Sequence, residues 1–176
     1  MKTINCLKPI VLCLFLGLFV LSCSKDETNI SEHERTLSLE TANGKQLASN
    51  ISTLKKELSV TVAEQFGGID IDFTITEIKH FLVYDKNYVA LISYRTASGI
   101  KNSIIISDVS FGKSNGTYTR LKSGNESGSG GDTYKYTCST RSGWICPVGC
   151  FVYWNFENPE PGCSCNDACE MKKEKI

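Results

Sequence analysis

The chain has 176 residues, which is enough for one ordinary domain or for a domain with a small additional module. Nineteen basic and nineteen acidic residues give a formal net charge of zero; without residues 1–22, which hold two lysines and no acid, 17 basic and 19 acidic residues leave a net charge of −2. A charge balance so close to neutral gives no electrostatic reason to expect nucleic acid or an anionic membrane surface as a partner.

The nine cysteines are the unusual feature of the composition, and they fall into two groups. Three lie near the N-terminus, at positions 6, 13 and 23, and six lie after residue 137. Between Cys23 and Cys138 there is none, so the two groups need separate explanations.

Residues 1–22 have the pattern of a secretory signal peptide. A basic start is followed by the apolar run Pro9–Leu21, which is shorter than the roughly 20 residues that a membrane-spanning helix needs. The stretch Val20–Cys23 resembles the lipobox of bacterial lipoproteins, and Ser24–Glu27 resembles the acidic export tag of surface lipoproteins of Bacteroidota. The resemblance covers about 27 residues and does not extend to the folded region.

The resemblance implies that Cys23 carries a diacylglyceryl group and becomes the first residue of the mature chain. Two or three acyl chains, at about 0.8 kcal/mol for each buried methylene, hold a protein stably on a membrane. We therefore expect a lipid-anchored protein of the outer membrane, facing either the cell surface or the periplasm. The alternative is an ordinary signal peptide cleaved nearby, with Cys23 lost or paired.

Residues 23–36 are polar and charged, and they are predicted to form a flexible tether. From Asn43, apolar residues recur at helical spacing and predict an amphipathic helix of about 23 residues. A capping box of Asn43 with Gln46 would start it, and Gly67-Gly68 would end it. The apolar face would be formed by Leu47, Ile51, Leu54, Leu58 and Val62, and the solvated face would carry Lys55, Lys56 and Glu57.

Alternating apolar and polar residues then predict antiparallel strands. The predicted segments are 69–76, continued after a bulge near Glu77 by 81–84, then 88–94, 103–107, 117–121 and 133–137. A helix followed by these strands predicts an α+β domain over residues 37–122, in which the helix packs on an antiparallel β-meander. The arrangement is loosely similar to cystatin-type and PepSY-type domains, several of which bind or inhibit peptidases; the similarity concerns the fold alone.

Little in this domain points to catalysis. Asp70 and Asp72 share one side of a predicted strand, and paired carboxylates can serve acid–base or metal chemistry. We interpret both of them, and His80, as strand surface residues. No sequence motif for a nucleophile, a metal or a phosphate is present, so no catalytic residue, metal ligand or cofactor is predicted.

Residues 123–132 are rich in glycine and serine and form either a loop or a linker. Residues 133–170 are predicted to be a small cysteine-rich module, and residues 171–176 a charged tail. The six cysteines of residues 133–170 are expected to form three disulfides, because disulfides form in exported proteins. Fifteen pairings are possible, and the sequence does not choose among them. Cys163 and Cys165 are too close in sequence to pair with each other. Metal binding and thiol–disulfide chemistry are the alternatives for Cys138, Cys146, Cys150, Cys163, Cys165 and Cys169.

Aromatic residues lie among these cysteines, and four of them are candidates for binding: Trp144, Tyr153, Trp154 and Phe156. Alternation places Tyr153 on one face of a short strand and Trp154 with Phe156 on the other. Either one face is partly exposed and stacks on sugars, peptides or lipid headgroups, or the second face packs on the main sheet.

The sequence therefore favours a membrane-anchored, exported lipoprotein that acts as a non-catalytic binding module for a protein or glycan. A peptidase inhibitor or pro-domain-like protein that uses the helix and sheet is the first alternative. A metal- or redox-active periplasmic protein that uses the six C-terminal cysteines is the second.

Overall fold

The computed structural model describes residues 30–69, 71–84, 86–114, 117–120 and 132–176. The predicted signal peptide, Cys23 and nearly all of the glycine- and serine-rich segment lie outside these ranges. None of the described helices is long and apolar enough to cross a membrane. The elements are a short 3-10 helix Glu34–Thr36, the helix α1 Ile51–Gln65, and the strands β1 Phe73–Val83, β2 Asn87–Thr96, β3 Lys101–Ser107, β4 Phe111–Ser114, β5 Thr117–Arg120, β6 Tyr134–Thr140, β7 Val152–Asn155, β8 Glu160–Cys163 and β9 Cys169–Lys175.

Five strands form one antiparallel sheet in the order β1-β2-β3-β6-β9. Two hairpins interrupt this path: β4–β5 follows β3, and β7–β8 follows β6. The predicted bulge is confirmed, because the register of β1 against β2 shifts between Ile75 and Glu77. The predicted α+β class with a disulfide-rich C-terminus is confirmed as well.

Both faces of the sheet are covered. Helix α1 packs Leu54, Leu58 and Val62 on one face, and the β7–β8 hairpin packs on the other. Successive side chains of a strand point to opposite faces, so the Ile104-Ile105-Ile106 run of β3 supplies both cores and is buried throughout. Each large apolar side chain that is fully buried in this way contributes about 1.5–3 kcal/mol.

The helix begins later than the sequence predicted. Its first residue is Ile51, and the Asn50 side chain caps it by accepting a hydrogen bond of 2.9 Å from the Thr53 N–H. Residues 41–45 form a tight turn instead, closed by the Thr41 N–H donating to the Lys45 carbonyl at 2.7 Å. The predicted helix start and capping box at Asn43 are therefore wrong, because the local turn uses the backbone groups that a helix would need.

The predicted tether is wrong for residues 30–36, which fold against the sheet. Residues 30–40, here called the N-terminal strap, carry Glu34, which has no exposed surface. Its carboxylate accepts hydrogen bonds from the N–H groups of Ser31 and Ile75, both at 2.8 Å, and lies 3.4 Å from the Lys55 ammonium. Lys55 was predicted to lie on the solvated face of the helix, but it is buried against Glu34. Lys56 and Glu57 are exposed, as predicted.

Burial alone would raise the pKa of the Glu34 carboxyl, since it disfavours the charged form. The hydrogen bonds from Ile75 and Ser31, together with the Lys55 ammonium, outweigh burial and lower the pKa of this group below its usual value. The carboxylate therefore stays ionised inside the protein, and it ties the N-terminal strap to both β1 and α1.

The predicted charged tail is also wrong. Strand β9 pairs with β6 along its whole length: Cys169 faces Thr140 at one end, and Lys175 faces Tyr134 at the other. It is therefore the outer strand of the main sheet. Most of its side chains are charged and exposed, which is how natural proteins protect an edge strand from pairing with other chains. Because β6 and β9 both belong to the sheet, the cysteine-rich segment is not a separate module.

Candidate functional site

The six C-terminal cysteines form three disulfides, as expected. They join Cys138 to Cys163, Cys146 to Cys165 and Cys150 to Cys169, with Cα–Cα distances of 5.8, 5.9 and 5.7 Å. Cys163 and Cys165 are not paired with each other, which confirms that part of the prediction. The first cysteine joins the fourth, the second the fifth and the third the sixth, so the three crosslinks interlock the β7–β8 hairpin with β6 and β9.

The same pairing bears on the metal-binding alternative. The sulfur atoms of Cys146, Cys165 and Cys169 lie within 4.8 Å of one another, a spacing that would suit a metal ion. All three sulfurs belong to disulfides, however, and a metal needs thiolates. Metal binding at these sulfurs would require the two crosslinks to be reduced first.

Trp154 is not one of the exposed binding aromatics. It is 6% exposed, stacks on Phe81 at a centroid distance of 6.5 Å, and meets the ring of Phe111 edge-on at 5.5 Å. Val152 and Trp154 point toward the sheet because the β7–β8 hairpin lies flat on it. Of the two alternatives that the sequence left open, Trp154 therefore follows the one in which its face packs on the main sheet.

The other aromatics of the hairpin lie at the surface. Phe156 follows β7, is 69% exposed and meets Phe81 edge-on at 5.1 Å. Tyr153 points outward from β7 and lies over Gly162, where an added Cβ would come within 2.6 Å of the ring. Glycine at position 162 is therefore needed for the close approach of the tyrosine ring.

A shallow groove runs beside Phe156 at the end of β1. It has a volume of about 490 Å³ and is here called the β1 groove. Leu82 and Tyr84 line it and are 54% and 46% exposed. Its other lining residues are His80, Phe81, Val83, Trp154, Phe156 and Pro159.

Tyr84 has a left-handed backbone conformation, with φ of 52°. This region costs a residue with a Cβ about 1–2 kcal/mol and is usually left to glycine. The chain places a large aromatic residue there, at the rim of the groove. Backbone strain of this kind is concentrated at functional sites in proteins.

The groove lies next to an open stretch of the sheet edge. The N-terminal strap lies beside β1 from Ile75 to His80: Ile75 donates to Glu34, the Thr76 carbonyl accepts from His33, and the His80 ring donates to the Ser38 carbonyl. Among the described residues, only β2 forms hydrogen bonds with the backbone of Glu77–Val83. An edge of this kind offers unpaired N–H and C=O groups to another extended chain.

The two histidines of the chain serve the fold. The Nε2 of His33 lies 2.9 Å from the Thr76 carbonyl, and the Nε2 of His80 lies 3.0 Å from the Ser38 carbonyl. A carbonyl can only accept, so each Nε2 carries a proton. The Nδ1 of His80 is enclosed and has no hydrogen-bond partner among the described residues. Asp72 is exposed, and Asp70 lies outside the described residues.

A second exposed apolar surface lies in the connection between β6 and β7. Trp144, Ile145 and Val148 are 56%, 86% and 68% exposed; residues 144–148 are here called the apolar loop. Trp144 was predicted as a candidate for binding, and Ile145 and Val148 were not. Three large apolar side chains within five residues were a signal available in the sequence.

Leu82, Tyr84 and Pro159 also line the groove and were not predicted as candidates for binding. Leu82 and Tyr84 belong to a predicted strand, in which apolar residues are ordinarily core. The bulge after Ile75 shifts the register of β1, and it leaves Leu82 exposed at the edge while Val83 is buried.

No protein-family model, curated protein or solved structure matches this chain.

Proposed function

We propose that this protein is an exported lipoprotein, anchored through Cys23, that acts as a non-catalytic binding module for a protein partner. The lipobox-like stretch before Cys23 supports the anchor. The three disulfides support export, because such crosslinks form and persist in oxidising compartments.

The observation that carries the binding role is the β1 groove beside a strand edge with which no described segment pairs. Leu82, Tyr84 and Phe156 give it exposed apolar and aromatic area, and such area on a soluble domain marks interaction sites. Trp154 and Phe81 beneath them are packed, so the floor of the groove is formed before a partner binds.

The strand edge favours a protein segment over a glycan. An extended peptide that adds to a sheet edge gains main-chain hydrogen bonds, and its alternate side chains enter adjacent pockets. Glu77–Val83 supplies the edge, and the β1 groove supplies a pocket next to its end. The outer edge of β9 has no comparable apolar surface, since Lys172, Lys173 and Lys175 are exposed along it.

The test is a selection from a library of random peptides, run on the disulfide-bonded domain without its lipid. Peptides with alternating apolar residues are expected to bind the native domain and to lose at least tenfold in affinity on Phe156→Asp. The matched control is Val60→Asp, because Val60 is 63% exposed on α1, away from the groove. Selected peptides should slow amide exchange in Glu77–Val83.

Two results would count against the proposal. Binding that ignores Phe156→Asp would remove the β1 groove as the site. Binding to a glycan array that depends on Phe156, with no peptide selected, would keep the groove but replace the protein partner by a glycan.

A further inference from the structure

Exposed apolar side chains are gathered at the end of the sheet where β1 begins. Phe73 of β1 pairs with Thr96 of β2, and the antiparallel pairing continues through β3 to β6, so Thr140 lies at the same end. The apolar loop begins four residues after Thr140. The exposed apolar residues at this end are Ile69, Ile100, Trp144, Ile145 and Val148.

The apolar loop is held firmly, although its side chains are in water. Disulfides at Cys146 and Cys150 fix it to the segment before β9 and to the start of β9. The Trp144 N–H donates to the Arg141 carbonyl at 3.1 Å, and the Gly149 N–H donates to the Cys146 carbonyl at 3.0 Å. A constrained loop that presents large apolar side chains has a surface ready to be covered.

The N-terminal strap enters the structure near the same end of the sheet. Ser31 and Glu34 lie beside Ile75, the third residue of β1. The chain from Cys23 to Ile30 spans seven peptide steps, at most about 25 Å. Strand β6 lies three strand spacings from β1, about 14 Å. A lipid on Cys23 therefore allows the apolar loop to reach the bilayer.

We infer that the apolar loop inserts into the surface of the bilayer that holds the Cys23 lipid, as a second and direct membrane contact. The inference rests on the lipid anchor of the proposed function. Tryptophan suits the boundary between headgroups and acyl chains because its ring is apolar and its N–H is polar. Ile145 and Val148 enter beside it.

The contact is apolar rather than electrostatic. Arg95 and Lys101 are exposed opposite each other on β2 and β3, and Asp72 and Asp167 are exposed at the same end. With charges of both signs present, insertion should depend little on salt or on the fraction of anionic lipid. The β1 groove lies at the far end of β1, about 30 Å away, and so faces away from the membrane toward a partner.

The experiment uses the full acylated chain in vesicles that contain lipids brominated on the upper acyl chain, which quench nearby tryptophans. Trp154→Phe leaves Trp144 as the reporter, and Trp144→Phe leaves Trp154 as the matched control. We expect Trp144 to lose at least half of its fluorescence and Trp154 to lose almost none. Comparing the native chain with Trp144→Phe gives the same answer if Trp154→Phe does not fold. Ile145→Asp with Val148→Asp should reduce the quenching of Trp144.

Mass analysis of the N-terminal peptide, on the same sample, separates the two ways of failing. If the chain is acylated and the brominated lipids do not quench Trp144, only the loop insertion is overturned. The same holds if aqueous acrylamide quenches Trp144 as strongly with vesicles as without them. A chain without acyl groups on Cys23 overturns the lipid anchor and, with it, the insertion.

Discussion

Glu34→Gln is expected to destabilise the protein strongly, although it preserves the shape of the side chain. Glu34 is fully buried, and the side chain of Lys55 is 7% exposed. The substitution removes the carboxylate charge that lies 3.4 Å from the Lys55 ammonium. It also turns one accepting oxygen into an amide donor that faces N–H groups. Removing one partner of a buried ion pair costs about 3–5 kcal/mol, a large part of the 5–15 kcal/mol that is typical for a whole protein.

The assay is urea unfolding of the lipid-free domain with its disulfides intact, followed by tryptophan fluorescence. Glu32→Gln is the matched control, because Glu32 is exposed two residues away; its free energy of unfolding should change by less than about 0.5 kcal/mol. Adding Lys55→Met to Glu34→Gln should recover part of the loss, since the buried ammonium is then removed together with the carboxylate.

The pH dependence gives a second readout. The pKa of Glu34 is lowered in the folded state, so its contribution is complete above the unfolded-state pKa of about 4.3. The contribution is lost as the pH falls through the lowered folded-state value. The stability difference between the native protein and Glu34→Gln should therefore shrink in acid. A loss at neutral pH no larger than that of Glu32→Gln would refute the folded N-terminal strap and restore the flexible tether.

Three further outcomes are expected. Replacing Cys150 and Cys169 together by serine should cost about 3 kcal/mol in unfolding experiments; alkylation of the native protein that labels any of the six C-terminal cysteines without reductant would contradict the disulfides. Trp154→Ala should cost about 3–5 kcal/mol, whereas Trp144→Ala should cost less than about 0.5 kcal/mol; equal costs would contradict their different burial. Burial raises the pKa of Tyr136 to about 12, so stability should fall as the pH rises from about 10 through that value, and Tyr136→Phe should flatten the fall.

The helix and the central strands could be predicted because their patterns are local. The spacing of Leu54, Leu58 and Val62 predicts a helical face, and the uninterrupted apolar run of β3 predicts a strand buried on both sides. The helix start could not be predicted in the same way. Residues 41–45 satisfy a turn as well as a helix, and contacts distant in the sequence decide between them.

Strand β9 and the ion pair were beyond the reach of sequence patterns for a common reason. Lys172–Lys175 has the composition of a solvated tail, and it becomes a strand only because the edge of β6 is open beside it. Lys55 has the spacing of a solvated residue, and it is buried only because Glu34 folds over it. In both places a partner distant in the sequence determines the structure.

The candidate site was predicted in part. Phe156 and Trp144 were named as binding candidates and are exposed, whereas Trp154, named with them, is buried, as in the alternative in which its face packs on the main sheet. Alternation within β7 separates Tyr153 from Trp154 correctly. It cannot tell which face the sheet covers, because that depends on how the three disulfides place the hairpin.

The most direct test of the binding role is photo-crosslinking in cells that produce the protein. A photoreactive phenylalanine at position 156 is expected to give a discrete protein adduct of constant mass, and the same group at position 60 on the exposed face of α1 should not. Loss of that adduct when Leu82 is replaced by aspartate would place the partner in the β1 groove. No adduct from position 156, or the same adducts from both positions, would contradict a protein-binding role for the groove.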